Sequence, residues 1–294
     1  MYFIHVFLTC LAFALADDQP TIVLPNGKIA GSLSRTIRYQ VPFYSYLGIP
    51  YAAPPVGNLR FQPPQPVQNW DNIFQATSNS KICYQSQSKL HRPQTEDCLY
   101  LNVYTTIPPS ENASLPVMVT IYGGSFTHGF ASVGTVGPDY FLENDIIVVS
   151  FNYRVGPFGF LSTGDGVIHG NMGLKDQLFA IKWVKENIHL FGGDPDKVTI
   201  RGQSAGAASV TYHILSPSSA GLFRGAIASS GSAICNWASE RPNGREKAYK
   251  IAAEMDPSFK KSNSTQDILE LLLTIDPKRI SETKFVVCLK IFCT

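Results

Sequence analysis

The chain has 294 residues, of which 44% are hydrophobic and 16% charged, with a formal net charge of +2. This balance suits a folded globular chain and excludes a disordered or fibrous one. A charge so near neutral gives no electrostatic reason to expect a nucleic acid or an anionic membrane surface as partner.

The chain opens on an apolar run from Tyr2 to Leu15, closed by Ala14-Leu15-Ala16 and followed by the polar pair Asp17 and Asp18. A short apolar stretch ending in a small-x-small pattern is the mark of a secretory leader, so residues 1–16 are expected to be a signal peptide. The run is short for a membrane span, and no later segment is apolar for long enough. The expectation is a secreted chain with no stable membrane anchor.

From Thr21 to about Trp70 the chain is rich in Pro and Gly. It reads as loops and short edge strands, not as a separate domain. Buried strands are expected at Leu99 to Thr105, Val117 to Tyr122, Ile146 to Tyr153, Val198 to Arg201 and Ala226 to Ser229, because each is short, apolar and β-branched. Near-continuous apolar strands imply a sheet covered on both faces. Leu174, Leu178, Ile181, Val184 and Ile188 recur with helical period, and Gly192, Gly193 and Pro195 end that helix. Ala205 to Leu215 is a small-residue helix, and Ile268 to Leu273 is also helical. Strands alternating with helices predict an α/β fold with a mostly parallel central sheet and helices on both faces.

Gly202, Gln203, Ser204, Ala205 and Gly206 form G-x-S-x-G, directly after an expected strand and opening an expected helix. That context is what a nucleophile elbow needs: a sharp turn projects the serine hydroxyl from the sheet, and the flanking glycines leave room for it. Tyr122, Gly123, Gly124, Ser125 and Phe126 also follow a strand. A glycine pair there aims backbone N–H groups at one point, and with the N–H of Ala205 it would hold an oxyanion.

These motifs, with others, resemble the type-B carboxylesterase and cholinesterase family. The similar blocks are Gly48 to Ala52, Pro54 to Gly57, Leu59 to Phe61, Glu96 to Tyr104, Tyr122 to Phe126, Asn152 to Arg154, Gly170 to Gln177, Phe191 to Pro195, Gly202 to Gly206 and Gly221 to Phe223. They stand in the family's order from about Thr21 to Trp237. The resemblance implies an α/β-hydrolase fold, a small-molecule carboxylic ester as substrate, no cofactor and no metal. It implies Ser204 as nucleophile, and oxyanion N–H groups from Gly124, Ser125 and Ala205 with Gly123 shaping the turn. It further implies a disulfide between Cys83 and Cys98, and structural ion pairs of Arg60 with Glu96 and of Arg154 with Asp176. Ser125 stands where the family usually has Gly or Ala, which leaves a backbone contact intact. The Cys83–Cys98 loop lacks the Trp with which cholinesterases hold a quaternary ammonium, so a choline ester is not expected. Gln203 stands where most members have Glu and resembles juvenile hormone esterases, which points to a lipophilic ester.

The family's later acid and histidine are not matched. His213 lies nine residues after Ser204 on the same expected helix and is read as structural, and His128 follows the oxyanion loop. His91, His169 and His189 are read as surface positions. The stretch 283–294 is apolar, β-prone and unlike the family, so the family domain is expected over 17–282, with its later strands missing. The chain is therefore expected to be nearly inactive alone. The rivals are a non-catalytic binding or adhesion member, or a fragment without a folded role. Asn112 and Asn263 open N-x-S/T sequons, expected to be glycosylated after secretion. Cys235 is expected as a buried free thiol. Oligomeric state is not legible.

Overall fold

The computed structural model describes residues 19–86, 92–109, 111–238, 244–259 and 264–283. The expected leader, His91, Asn263 and the stretch beyond Thr283 lie outside them. Seven strands form the main sheet: β1 (Ser32–Arg35), β2 (Pro42–Pro50), β3 (Tyr100–Thr105), β4 (Leu115–Ile121), β5 (Ile147–Phe151), β6 (Gly193–Gln203) and β7 (Gly225–Ser229). Their order across the sheet is β7-β6-β4-β5-β3-β2-β1. The pairs β7–β6, β6–β4 and β4–β5 are parallel. The pairs β5–β3, β3–β2 and β2–β1 are antiparallel. The sheet is thus mixed, parallel in the half that bears Ser204 and antiparallel in the other.

The expectation of loops and edge strands over 21–70 needs correcting at β2, a nine-residue strand paired on both sides inside the main sheet. Pro42 and Pro50 sit at its two ends, where a missing N–H costs least. Between them Phe43, Tyr44, Tyr46 and Leu47 supply the aromatic and apolar side chains that suit a strand.

Alternation along the strands divides the sheet's faces. Val117, Val119 and Ile121 of β4, Ile147, Val149 and Phe151 of β5, and Val198 and Ile200 of β6 share one buried core. Two helices supply its other side: α2 (Met172–Asn187), through Ala180, Ile181 and Val184, and α3 (Ala205–Leu215), through Ala205, Ala208 and Val210. On the opposite face the short α1 (Asp139–Leu142) brings Leu142 against Phe43, Tyr104 and Val148. Helices therefore lie on both faces. A second core forms around α4 (Gly244–Met255), α5 (Thr265–Thr274) and α6 (Pro277–Ser281), against Phe61, Phe158, Leu161 and Ile168. Among the described residues no helix is long and apolar enough to cross a membrane.

Candidate active site

Strand β6 ends at Gln203 and α3 begins at Ala205, so Ser204 alone makes the turn. It does so at φ 56° and ψ −121°, a conformation that costs an L-residue about 1–3 kcal/mol and persists only where the surroundings impose it. Those surroundings are backbone: the Ser204 N–H donates to Ser229 O at 3.0 Å, and the Ala208 N–H donates to Ser204 O at 3.0 Å. Glycine at 206 is required because a Cβ there would lie closer than 3.0 Å to Ile121 O. Ser204 is half-buried, and its hydroxyl makes no capping bond to α3. The first N–H groups of α3, that of Ala205 included, have no earlier helical carbonyl to bind and carry the positive end of the helix dipole.

The second motif lies against the first. A Cβ on Gly123 would stand 3.2 Å from Ser204 Cβ and closer than 3.0 Å to Gln203 O. Two tyrosines clasp the base of this loop. The Tyr122 hydroxyl donates to Tyr153 O at 2.9 Å, and the Tyr153 hydroxyl donates to Tyr122 O at 2.9 Å. Their rings stack with centroids 4.3 Å apart. Burial pushes both phenols well above their usual pKa, so they stay neutral donors.

Beyond the clasp, Thr127 and His128 donate their N–H groups to Gly124 O at 3.0 and 3.1 Å. Gln85 holds Gly129 by two bonds, accepting from its N–H at 3.0 Å and donating to its carbonyl at 3.2 Å. Asn152 accepts from the Ala131 N–H at 2.9 Å. Ser125 and Phe126 take φ of 54° and 59°. Gly123, Gly124 and Ser125 donate no backbone hydrogen bond to another described backbone carbonyl. The structure thus brings together Ser204, Gly123, Gly124 and the start of α3, and places Ser125, exposed, one residue further along the loop.

Cys83 and Cys98 form a disulfide across 15 residues. Arg60 pairs with Glu96 at 2.6 Å, and Arg154 with the fully buried Asp176 at 2.7 Å. Asn112 is exposed in the loop before β4. Cys235 is a free thiol but half-buried, not buried as expected, because it lies past the end of the edge strand β7. No group of acidic, His or Cys side chains that could hold a metal occurs among the described residues.

His213 is buried on α3, between Ser219 at 3.1 Å on Nδ1 and Gln177 at 3.0 Å on Nε2. Burial lowers its pKa to about 4. His169 and His189 are exposed, and His128 binds the Thr127 hydroxyl at 3.0 Å. No described histidine is seen to hydrogen-bond Ser204. Sequence reasoning missed Tyr153, Gln85 and Asn152 as supports of the loop. Asn152 and Tyr153 belong to a stretch whose only signal is its likeness to a family, and nothing local marks Gln85.

The model of the "Carboxylesterase family" matches residues 18–291. The chain is 45% identical to esterase E4 of Myzus persicae over 289 residues, covering 96% of this chain and 50% of that protein. It is 41% identical to juvenile hormone esterase of Tribolium castaneum over 278 residues, covering 93% of this chain and 47% of that one. Among solved structures, juvenile hormone esterase from Manduca sexta, with OTFP covalently attached, superposes with a TM-score of 0.83 at 32% identity. That match covers 90% of this chain and 50% of that one. The chain spans about half the length of the relatives it matches.

Proposed function

The chain belongs to the carboxylesterase family, and on that premise we propose that it carries the nucleophile and oxyanion half of a serine carboxylic ester hydrolase. The observation that carries this reading is the strained Ser204 turn lying against Gly123. In the proposed reaction Ser204 Oγ gives up its proton to a base and bonds to the ester carbonyl carbon. The carbonyl electron pair moves onto oxygen, where the N–H groups of Gly124, Ser125 and Ala205 receive it. One such donor is worth roughly 3 kcal/mol of barrier. Collapse breaks the bond to the alcohol, which leaves with the proton, and an acyl-Ser204 remains. Water then attacks the acyl carbon, and the acid departs as Ser204 regains its proton.

His213 does not serve as that base, since both its ring nitrogens are already bonded, to Ser219 and Gln177, and no described histidine is seen to hydrogen-bond Ser204. Loss of such a base costs on the order of 10⁶ in kcat, while an oxyanion hole and binding alone retain roughly 10³–10⁴ over water. The 294-residue chain is therefore proposed to acylate slowly and to turn over little. The absence of Trp in the Cys83–Cys98 loop, together with Gln203, favours a lipophilic or general ester over a choline ester. The expected leader, the disulfide and the exposed Asn112 support a secreted glycoprotein.

The test uses p-nitrophenyl butyrate with intact-mass detection. A butyryl adduct that maps to Ser204 and is absent from Ser204→Ala is the expected result. Equal p-nitrophenol release by both proteins, with no adduct, overturns the proposal.

A further inference from the structure

The disulfide segment and the candidate oxyanion loop meet through one buried side chain. Gln85 stands just after Cys83 and is 3% exposed. Its Nε2 donates to Cys83 O at 3.0 Å and to Gly129 O at 3.2 Å, and its Oε1 accepts from the Gly129 N–H at 3.0 Å. Both amide N–H donors and the acceptor oxygen are therefore engaged. The backbone N–H of Gln85 donates to Gln94 Oε1 at 2.8 Å, and Ile82 and Cys83 pair in parallel with Gln94 and Thr95. Gln85 is thus seated by the segment that the disulfide closes.

Gly129 carries that hold toward the proposed oxyanion donors. The N–H groups of Thr127 and His128 close a turn onto Gly124 O, and the chain returns to place Gly129 beside Gly123. At φ 123° a Cβ on residue 129 would lie 2.6 Å from Gly123 O and closer still to the Tyr122 ring. Gly123 O and the Gly124 N–H belong to one planar peptide, so what fixes the carbonyl also fixes the direction of the N–H. Asn152 links the same loop to a different anchor, accepting from the Ala131 N–H and donating to Lys81 O at 3.1 Å. Lys81 stands outside the ring that Cys83 and Cys98 close.

We propose that Gln85 is a positioning residue: through Gly129 it aims the Gly124 N–H, and through Cys83 it makes that aim depend on the Cys83–Cys98 disulfide. The tie between disulfide and loop stands on geometry alone, and its bearing on catalysis rests on the proposed function. A buried amide bonded at three points resists rotation, and donors aligned in advance serve a developing oxyanion better than donors that must reorganise. The effect belongs to the transition state. It therefore lies in the maximal acylation rate, not in the ester concentration that gives half of it.

The experiment compares four forms of the 294-residue chain: wild type, Gln85→Met, Cys83→Ser with Cys98→Ser, and all three changes together. Hydrogen exchange is read in residues 122–131 against residues 147–151 of the core, and butyryl-Ser204 formation is followed over a range of p-nitrophenyl butyrate. Gln85→Met should quicken exchange in the loop severalfold relative to the core. It should lower the maximal acylation rate roughly tenfold, a part of the 10²–10³ that one oxyanion donor supplies, with the half-saturating concentration within about twofold. The double serine variant should show both effects more weakly, and the combined protein should match Gln85→Met, because changes acting through one contact do not add. Gln85→Glu keeps an acceptor without the N–H donors and serves if Gln85→Met does not fold; its expected effects run in the same direction. The proposal is overturned if the loop of Gln85→Met exchanges like that of the wild type, if exchange quickens while the acylation rate is unchanged, or if the combined protein shows the product of the separate losses. If the wild type forms no adduct, the esterase reading fails, and exchange in the four proteins still decides whether Gln85 ties the disulfide to the loop.

Discussion

Substituting His213 with Gln removes a titrating group from a buried network and should flatten the acid side of the stability profile. Gln177 Nε2 donates to Ser209 Oγ at 3.1 Å, and Ser209 Oγ donates to Ala205 O at 2.9 Å. Gln177 Oε1 is then the acceptor for His213 Nε2–H, and Nδ1 accepts from the Ser219 hydroxyl. The ring is a neutral Nε2–H tautomer whose bonds lead to the residue after Ser204.

Burial lowers the His213 pKa from 6.5 to about 4. Between those values the unfolded chain binds the proton and the folded chain does not, so protonation favours unfolding and stability falls as pH falls. Carried through the linkage relation, the loss from this group between pH 7 and pH 5 is about 2 kcal/mol. Urea unfolding at both pH values measures it, because other carboxylates and histidines contribute alike to wild type and His213→Gln. The wild type should lose about 2 kcal/mol more than the variant over that interval. An equal loss in the two proteins would refute the assignment of a buried neutral His213, whatever the variant's stability at pH 7.

Two further substitutions test the frame around Ser204. Tyr153→Phe keeps the stack on Tyr122 but leaves Tyr122 O without its 2.9 Å donor; thermal unfolding should show a loss of about 1–3 kcal/mol, together with faster hydrogen exchange in the 122–131 loop. Replacing Cys83 and Cys98 together by Ser opens a loop of 15 residues, which should lower stability by about 3 kcal/mol under oxidising conditions. Adding reductant should then narrow the gap between the two proteins.

Much of the Ser204 half was legible in the chain because its signals are local. A β-branched strand, a glycine-flanked serine and a small-residue helix are consecutive, and each has its own periodicity. The whole span of α3 follows from those residues, whereas the strand runs two residues past the expected Arg201, to Gln203. The strand's start did not follow, because Gly193 joins the ladder across an irregularity before Val198 that no local pattern announces. Strand β2 was hidden for a different reason: prolines at its ends and Gly48 at φ 75° resemble loop chemistry, although its alternating aromatic residues carry a strand's pattern.

Arg60 shows what no local reading reaches. Besides Glu96, it donates to Leu272 O at 2.6 Å and Ile275 O at 2.9 Å, tying the end of α5 to a loop more than 200 residues earlier. The resemblance suggested its pairing with Glu96, but its role at the end of α5 depends on how two distant segments dock. The row of paired residues Ile227, Arg201, Thr120 and Ser150 is of the same kind. By itself the sequence determined which residues form the serine turn and the loop beside it, since backbone conformation there depends on neighbours a few positions away. Only the tertiary structure decided that the sheet is half antiparallel, that two tyrosines clasp the loop, and that Arg201 and Thr120 stand side by side in one pleat row. Strand register sets those pairings, and register depends on packing across the whole sheet, not on the residues of one strand.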